Sequence, residues 1–354
     1  MESASIEFLR ELVEAGGPSG YEQPVQAIFC RQATAYGAAA RIDVLGNAVA
    51  SLNPNGSPRV MLAGHADEIG FLVNYINDEG YVYFAAVGGW DAEIAVGQRV
   101  TIHARGGPVP GVIGKRAIHL MDAEDRKKKS ELHTLWIDLG VPSRDAALAH
   151  IAIGDPITVA VPMQRLQGDL VAAKAMDNRM AVWICADTIR LLAGESIAAA
   201  LFSVSTVQEE IGLRGARTSS FDVEPQVGIA LDVCHATDYP DADRRKVGDI
   251  RVGAGPVIAR GANINPRVFE LLMRAAEEEG IPVQVEAAPA GTGTDANAMQ
   301  ISRGGMATGL VSVALRYMHT PCEVLSLGDL QNASRLCASF IRRLQPEDDW
   351  IPRS

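Results

Sequence analysis

Aromatic residues are scarce: 8 Phe, 7 Tyr and 4 Trp make up 5% of the 354 residues. Sugar-binding clefts generally offer aromatic platforms, so this scarcity disfavours a glycoside hydrolase. Basic residues are also in the minority, 32 against 43 acidic ones, for a formal net charge of −11. Such a balance argues against nucleic acid or an anionic membrane as the main partner, and it suits a cationic ligand such as a free amino terminus. No apolar run reaches transmembrane length. The opening Met-Glu-Ser-Ala-Ser shows no basic region leading into an apolar stretch, so no secretory signal is expected. Cysteine is sparse and scattered (Cys30, Cys185, Cys234, Cys322 and Cys337), with no CxxC pair. That pattern reads as reduced thiols in a cytoplasmic protein and disfavours a zinc-thiolate site. What remains is 47% hydrophobic and 21% charged, an ordinary soluble enzyme composition, long enough for one large or two modest domains.

Two patterns divide the chain. Residues 4–15 read as a helix with Ile6, Leu9, Leu12 and Val13 on one face, stopped by Gly16-Gly17-Pro18-Ser19-Gly20. Residues 58–65 are a short apolar run of the kind that makes a buried strand. Character then changes over 71–162. Runs at 71–76 and 81–86 flank Asn77-Asp78-Glu79-Gly80, a hairpin signal. Further short β-type runs follow at 99–103, 109–113, 134–138 and 157–161, punctuated by Gly and Pro. The expectation is a small β-barrel or sandwich at 71–162, inserted into a discontinuous domain of residues 1–70 and 163–354. In that domain, strands at 199–207, 226–233 and 308–315 alternate with helices at 178–193, 266–279 and 327–344. The middle helix has Asn265 as N-cap, Pro266 in its first turn and Gly280 beyond its end. The fold class is α/β with a largely buried sheet.

Polar residues fall at informative places. His65, the pair Glu209-Glu210 and Asp232 each sit at or just past the end of an apolar strand, and His319 follows another. Asp177 lies just before a helix, in Lys174-Ala175-Met176-Asp177-Asn178-Arg179. Ligand sites of open α/β sheets assemble at the carboxyl ends of strands, so these groups can converge. Imidazole mixed with carboxylate suits Zn, Co or Mn, whereas Mg or Ca prefers oxygen alone. A hydrolytic metal pair also needs one carboxylate off the metals to take a proton from water. Adjacent side chains diverge, so Glu209-Glu210 can supply one ligand and one base. Asp67, two residues past His65, shares its face if the segment is extended and can orient the imidazole.

These residues lie in a series of motifs: Gly17-Pro18-Ser19-Gly20-Tyr21-Glu22, Gly64-His65-Ala66-Asp67-Glu68-Ile69-Gly70, Ala175-Met176-Asp177-Asn178-Arg179 and Val207-Gln208-Glu209-Glu210-Ile211-Gly212. Asp232-Val233-Cys234-His235-Ala236-Thr237-Asp238, Gly293-Thr294-Asp295-Ala296 and Arg316-Tyr317-Met318-His319 follow. In this order they resemble the M42 family of metallopeptidases, which includes glutamyl-type and other tetrahedral aminopeptidases, along nearly the whole chain. The resemblance implies a mixed-sheet catalytic domain in which Asp177 bridges two divalent ions, with His65, Asp232, Glu210 and His319 completing their positions. It implies Glu209 as general base, Asp67 behind His65, and a cis peptide at Asp177–Asn178. It further implies that the β insert is a dimerisation domain and that dimers assemble into a dodecamer. Peptides with a free N-terminus would be the substrates, with Zn, or else Co or Mn, as the metal. Cys234 stands where many relatives carry Thr; it is expected to be packed away.

Other polar groups receive plainer readings. His103, His119, His133 and His150 in the insert are expected to be structural or surface residues, while His235 adjoins the ligand set. The mixed charges of 124–131 read as a solvated loop. Gly291-Thr292-Gly293-Thr294-Asp295 lacks the Gly-Lys-Ser/Thr ending of a phosphate loop, and no GxSxG elbow surrounds Ser203, Ser205 or Ser312. Two rival functions are an endoglucanase-type glycoside hydrolase and a non-catalytic metal-binding assembly protein. The ligands alone also leave a carboxypeptidase or deacylase open.

Overall fold

A computed structural model describes residues 1–353. Strands β1 (Ala39–Ile42), β2 (Ala48–Leu52) and β3 (Arg59–His65) come first. A second group follows: β4 (Gly70–Ile76), β5 (Val82–Val87), β6 (Arg99–Ala104), β7 (Gly107–Gly114), β8 (Trp136–Asp138) and β9 (Pro156–Val159). The chain then forms β10 (Gln164–Arg165), β11 (Leu170–Ala173), β12 (Ala200–Thr206), β13 (Val227–His235), β14 (Val257–Gly261), β15 (Gln284–Ala288), β16 (Ala307–Leu315) and β17 (Glu323–Ser326).

An eight-stranded mixed sheet, in the order β1-β2-β12-β3-β13-β16-β14-β15, is the frame. Its centre, β12-β3-β13-β16, is parallel. These strands are buried on both faces, which is why they read as unbroken apolar runs. Alternation sends Val60 and Leu62 of β3 into one core, and Met61 and Ala63 into the other. Helices Ser3–Glu14, Met176–Leu192, Pro266–Glu278 and Leu327–Arg343 cover the first face; Arg214–Val223 and Asp295–Gln300 cover the second. Helix Met176–Leu192 can approach β3 only because Gly64 has no side chain: a Cβ there would meet Ala181 Cβ at 2.5 Å. A small sheet, β10-β11-β17, sits beside this frame.

The second group of strands closes into a six-stranded antiparallel barrel, β4-β5-β8-β7-β6-β9. Closure removes exposed edges, and the interior is filled by Phe71, Phe84, Ile102, Ile137, Ile157 and their neighbours. Phe71 packs edge-on to Phe84 and stacks on Trp90.

Most predicted elements are present within a residue or two of their expected ends. Asn265 caps its helix by accepting from the amides of Arg267 and Val268. Unforeseen elements include helices Gln23–Ala35, Arg214–Val223 and Asp295–Gln300 and strands β1, β2, β10, β11, β14, β15 and β17. β13 also runs on to His235, so Asp232 lies inside the strand, not at its end. No helix among the described residues is long and apolar enough to cross a membrane.

Candidate metal centre

The site begins with two neighbouring parallel strands. β3 ends on His65, whose register partner is Thr206, the last residue of β12. The chain leaves β12 through Gln208, which has φ of +57°, a left-handed conformation uncommon outside glycine. The amides of Glu209 and Glu210 then donate to the two carboxylate oxygens of Asp67, at 3.0 and 3.1 Å. Ser19 Oγ donates to the same carboxylate at 2.7 Å. Asp67 therefore holds the turn that separates two consecutive glutamates. Burial alone would raise its carboxyl, but His65, Ser19 and the Glu209 amide overcome that and hold it below the ordinary range.

Two imidazoles face this turn. His65 Nδ1 lies 3.1 Å from the Asp67 carbonyl and His319 Nδ1 lies 3.0 Å from the Gly89 carbonyl. A carbonyl only accepts, so each Nδ1 carries a proton and each Nε2 is the atom turned toward the carboxylates. His65 Nε2 is 3.2 Å from Asp177 Oδ1 and 3.8 Å from Glu209 Oε2. His319 Nε2 is 3.3 Å from both Asp177 Oδ2 and Glu210 Oε1. Asp177 thus offers one oxygen to each imidazole. Its peptide bond to Asn178 is cis, and the two residues are non-helical, so the regular helix starts only after them. Ligand atoms of His65, Glu209 and Asp232 lie within 4.8 Å of one another, as do those of His65, Asp177 and Glu210. All the residues singled out from the sequence as ligands or base therefore meet in one place.

The charge in this place is unbalanced. Asp177, Glu209, Glu210 and Asp232 converge on a cavity of about 410 Å³. Burial and the neighbouring acids push Glu209 up to about 9 and Asp232 well above its ordinary value. His319 is raised to about 11 by its bonds to Asp177 and Glu210. Lys174 and Arg179, the nearby cations, are already engaged by Glu68. A mixed imidazole and carboxylate set in which both Nδ1 atoms are committed to carbonyls and both Nε2 atoms face carboxylates, with protons that a cation can displace, fits divalent ions of the Zn, Co and Mn class.

Matches to known proteins agree with this geometry. The family model for M42 glutamyl aminopeptidases fits residues 46–336. The chain belongs to the M42 family. A lysyl aminopeptidase of Pyrococcus furiosus is 35% identical over 97% of this chain and 98% of its own. The solved structure of a TET aminopeptidase from the marine sediment archaeon Thaumarchaeota archaeon SCGC AB-539-E09 has a TM-score of 0.93 at 33% identity, covering 97% of both chains. The TET1 peptidase of Pyrococcus horikoshii has a TM-score of 0.86 at 30% identity, with 96% of this chain and all of that one covered. The chain is accordingly a hydrolase acting as an aminopeptidase, of a metal-dependent family.

Several supporting residues of this M42 chain escaped the sequence reading. Glu323 accepts from the amides of Asp177 (3.1 Å) and His319 (2.8 Å), clamping two distant segments. Its signal was faint: an acid opening a short, fully buried strand. Gly89 supplies only a backbone carbonyl, and a Cβ there would lie 3.3 Å from His319 Nδ1. Buried Glu22 accepts from the amides of Gly20 and Gln208, and buried Asp295 from Thr206 Oγ1; both stood within quoted motifs without a role. Cys234 and His235 line the cavity together with residues 291–294, while His103, paired with Thr158 Oγ1, does not.

Proposed function

We propose that this chain removes the N-terminal residue of peptides at a pair of divalent ions held by His65, Asp177, Glu210, Asp232 and His319. The observation that carries the reading is Asp177 turning one carboxylate oxygen toward each imidazole, the arrangement a bridging ligand requires. When bound, such ions polarise the scissile carbonyl and acidify the attacking water. Zn is the first choice on ligand chemistry, with Co or Mn as alternatives.

The remaining work belongs to the side chains. Glu209 and Glu210 diverge from the turn that Asp67 holds, so one can ligate while the other stays free to carry a proton. Glu209 takes the proton of the attacking water and delivers it to the leaving amine. Asp67 fixes the turn that aims both glutamates, and its backbone carbonyl orients His65. Residues 1–70 and 163–354 form the catalytic unit on this reading. The barrel at 71–162 serves as the dimerisation unit, with dimers building a larger shell; the Pyrococcus horikoshii relative can assemble into a tetrahedron or a large octahedral shell. A glycoside hydrolase is disfavoured because no Trp, Tyr or Phe lines the cavity among the described residues.

The test pairs catalysis with metal content. Glu209→Gln should lower release of amino acids from aminoacyl chromogenic amides by about a thousandfold or more, with bound metal unchanged. Activity within tenfold of the parent would remove Glu209 from this role. Chelator should abolish the parent's activity, and β-glucan should be left uncut.

A further inference from the structure

The register of the large sheet carries the site's geometry outward to its edge. Asp232 of β13 pairs with Ser312 of β16, which pairs with Val257 of β14. Two residues on, Ala259 pairs with Glu286 of β15. Side chains two apart on a strand share a face, so Asp232, Cys234, Ser312, Ala259, Glu286 and Ala288 all point the same way. All six line the cavity that holds the candidate metal ligands.

Glu286 is unusual among them. Apart from the residues assigned to the ions and Glu209, it is the one carboxylate lining the cavity among the described residues; no Lys or Arg does, and Cys234 and His235 are the other titratable groups. Its carboxylate accepts no hydrogen bond and forms no ion pair among the described residues, although the residue is only partly exposed. A half-buried carboxylate without a partner is disfavoured, and burial raises its pKa accordingly. The walls around it are small (Ala259, Ala287, Ala288, Gly291 and Gly293), leaving room for a long guest.

We propose that Glu286 determines the specificity of this cavity, selecting peptides that begin with lysine or arginine. The inference rests on the metal-site reading above, which puts the scissile bond beside Asp232. Three strand spacings, about 14 Å, separate the strand of Asp232 from that of Glu286, so a substrate Cα seated over the intervening strands lies between the ions and Glu286. From there a lysine, which extends about 6 Å from its Cα on a four-carbon stem, carries its ammonium toward the Glu286 carboxylate. A leucine stops short of the carboxylate, and a glutamate is both short and repelled.

Full-length, metal-loaded protein should be assayed on lysyl, arginyl, methionyl and glutamyl chromogenic amides. Methionine matches the length of the lysine stem without its charge. The expected result is kcat/KM for lysyl exceeding that for methionyl by about tenfold or more, with glutamyl the poorest. Glu286→Gln should shrink the lysyl-to-methionyl ratio by about tenfold, and Glu286→Lys should invert the lysyl-to-glutamyl order. Should either variant fold poorly, the parent alone decides: raising salt should increase KM for lysyl and not for methionyl. Hydrolysis with methionyl or glutamyl equal to or above lysyl, or an equal salt response, overturns the role of Glu286 while leaving the catalytic site in place. No hydrolysis of any amide overturns the site reading itself.

Discussion

Asp67 shows how much a single carboxylate can organise. Its two oxygens accept from two successive amides and a hydroxyl, so replacing one oxygen by an NH2 group sets donor against donor. Asp67→Asn should therefore cost about ten- to a hundredfold in activity or metal affinity, read by kcat/KM and by metal titration; parental values for both would contradict the role. Glu22 makes a different prediction. Burial first, then Asp67, raises its carboxyl from 4.5 to about 7 in the fold. Between those values the unfolded chain binds fewer protons than the native one, so this group's contribution is full below pH 4.5 and is lost as pH rises through 7. Glu22→Gln keeps an acceptor for Gly20 and Gln208 but no longer titrates. In chelated protein it should raise the melting temperature at pH 8, by the equivalent of up to about 3 kcal/mol, with little effect at pH 4.5. Identical pH slopes for parent and variant would refute this.

Elements meet at a buried triangle. Glu68 lies just beyond β3, Lys174 just beyond β11, and Arg179 in the helix Met176–Leu192; Glu68 pairs with both cations at 2.7 and 2.9 Å. Arg179 also donates to the carbonyls of Leu12, Ala15, Gly17 and Ala66, tying the first helix to the segment that bears His65. Burial already pushes Lys174 down to about 8. Glu68→Ala leaves two buried cations without a counter-ion and should destabilise the fold by about 3–5 kcal/mol; a denaturant midpoint equal to the parent's would contradict this. The central strands were legible because burial on both faces demands unbroken apolar runs. β1 was not, since its four residues are largely exposed and show no alternation. Helix Gln23–Ala35 mixes small and polar residues and offers only a weak apolar stripe. β14 ends in two exposed residues and β15 buries only Ala288 fully, so neither shows the unbroken apolar run of the central strands. The proposed ligands were legible because metal chemistry restricts residue type. Glu323 and Gly89 were not, because they act on backbone amides and through a backbone carbonyl that only the fold brings near.

For the molecule as a whole, four converging acids that cannot all ionise without a cation make the ligand-free site less stable than the filled one. Chelation should lower the melting temperature and divalent metal should restore it. Saturation at a thousand times the dissociation constant contributes about 4 kcal/mol. A midpoint indifferent to chelator would mean that the site was never filled. Architecture adds one more consequence. The barrel's first and last strands are hydrogen-bonded neighbours, Phe71 beside Ile157, so the chain enters and leaves it through one doorway. A module attached in this way can be lost, swapped or grafted during evolution without re-threading the sheet. Yet the Gly89 carbonyl that accepts a hydrogen bond from His319 Nδ1 lies between those two strands in sequence. Any replacement module would inherit the duty of setting that tautomer, so the part of the chain freest to be exchanged carries one obligation to the chemistry.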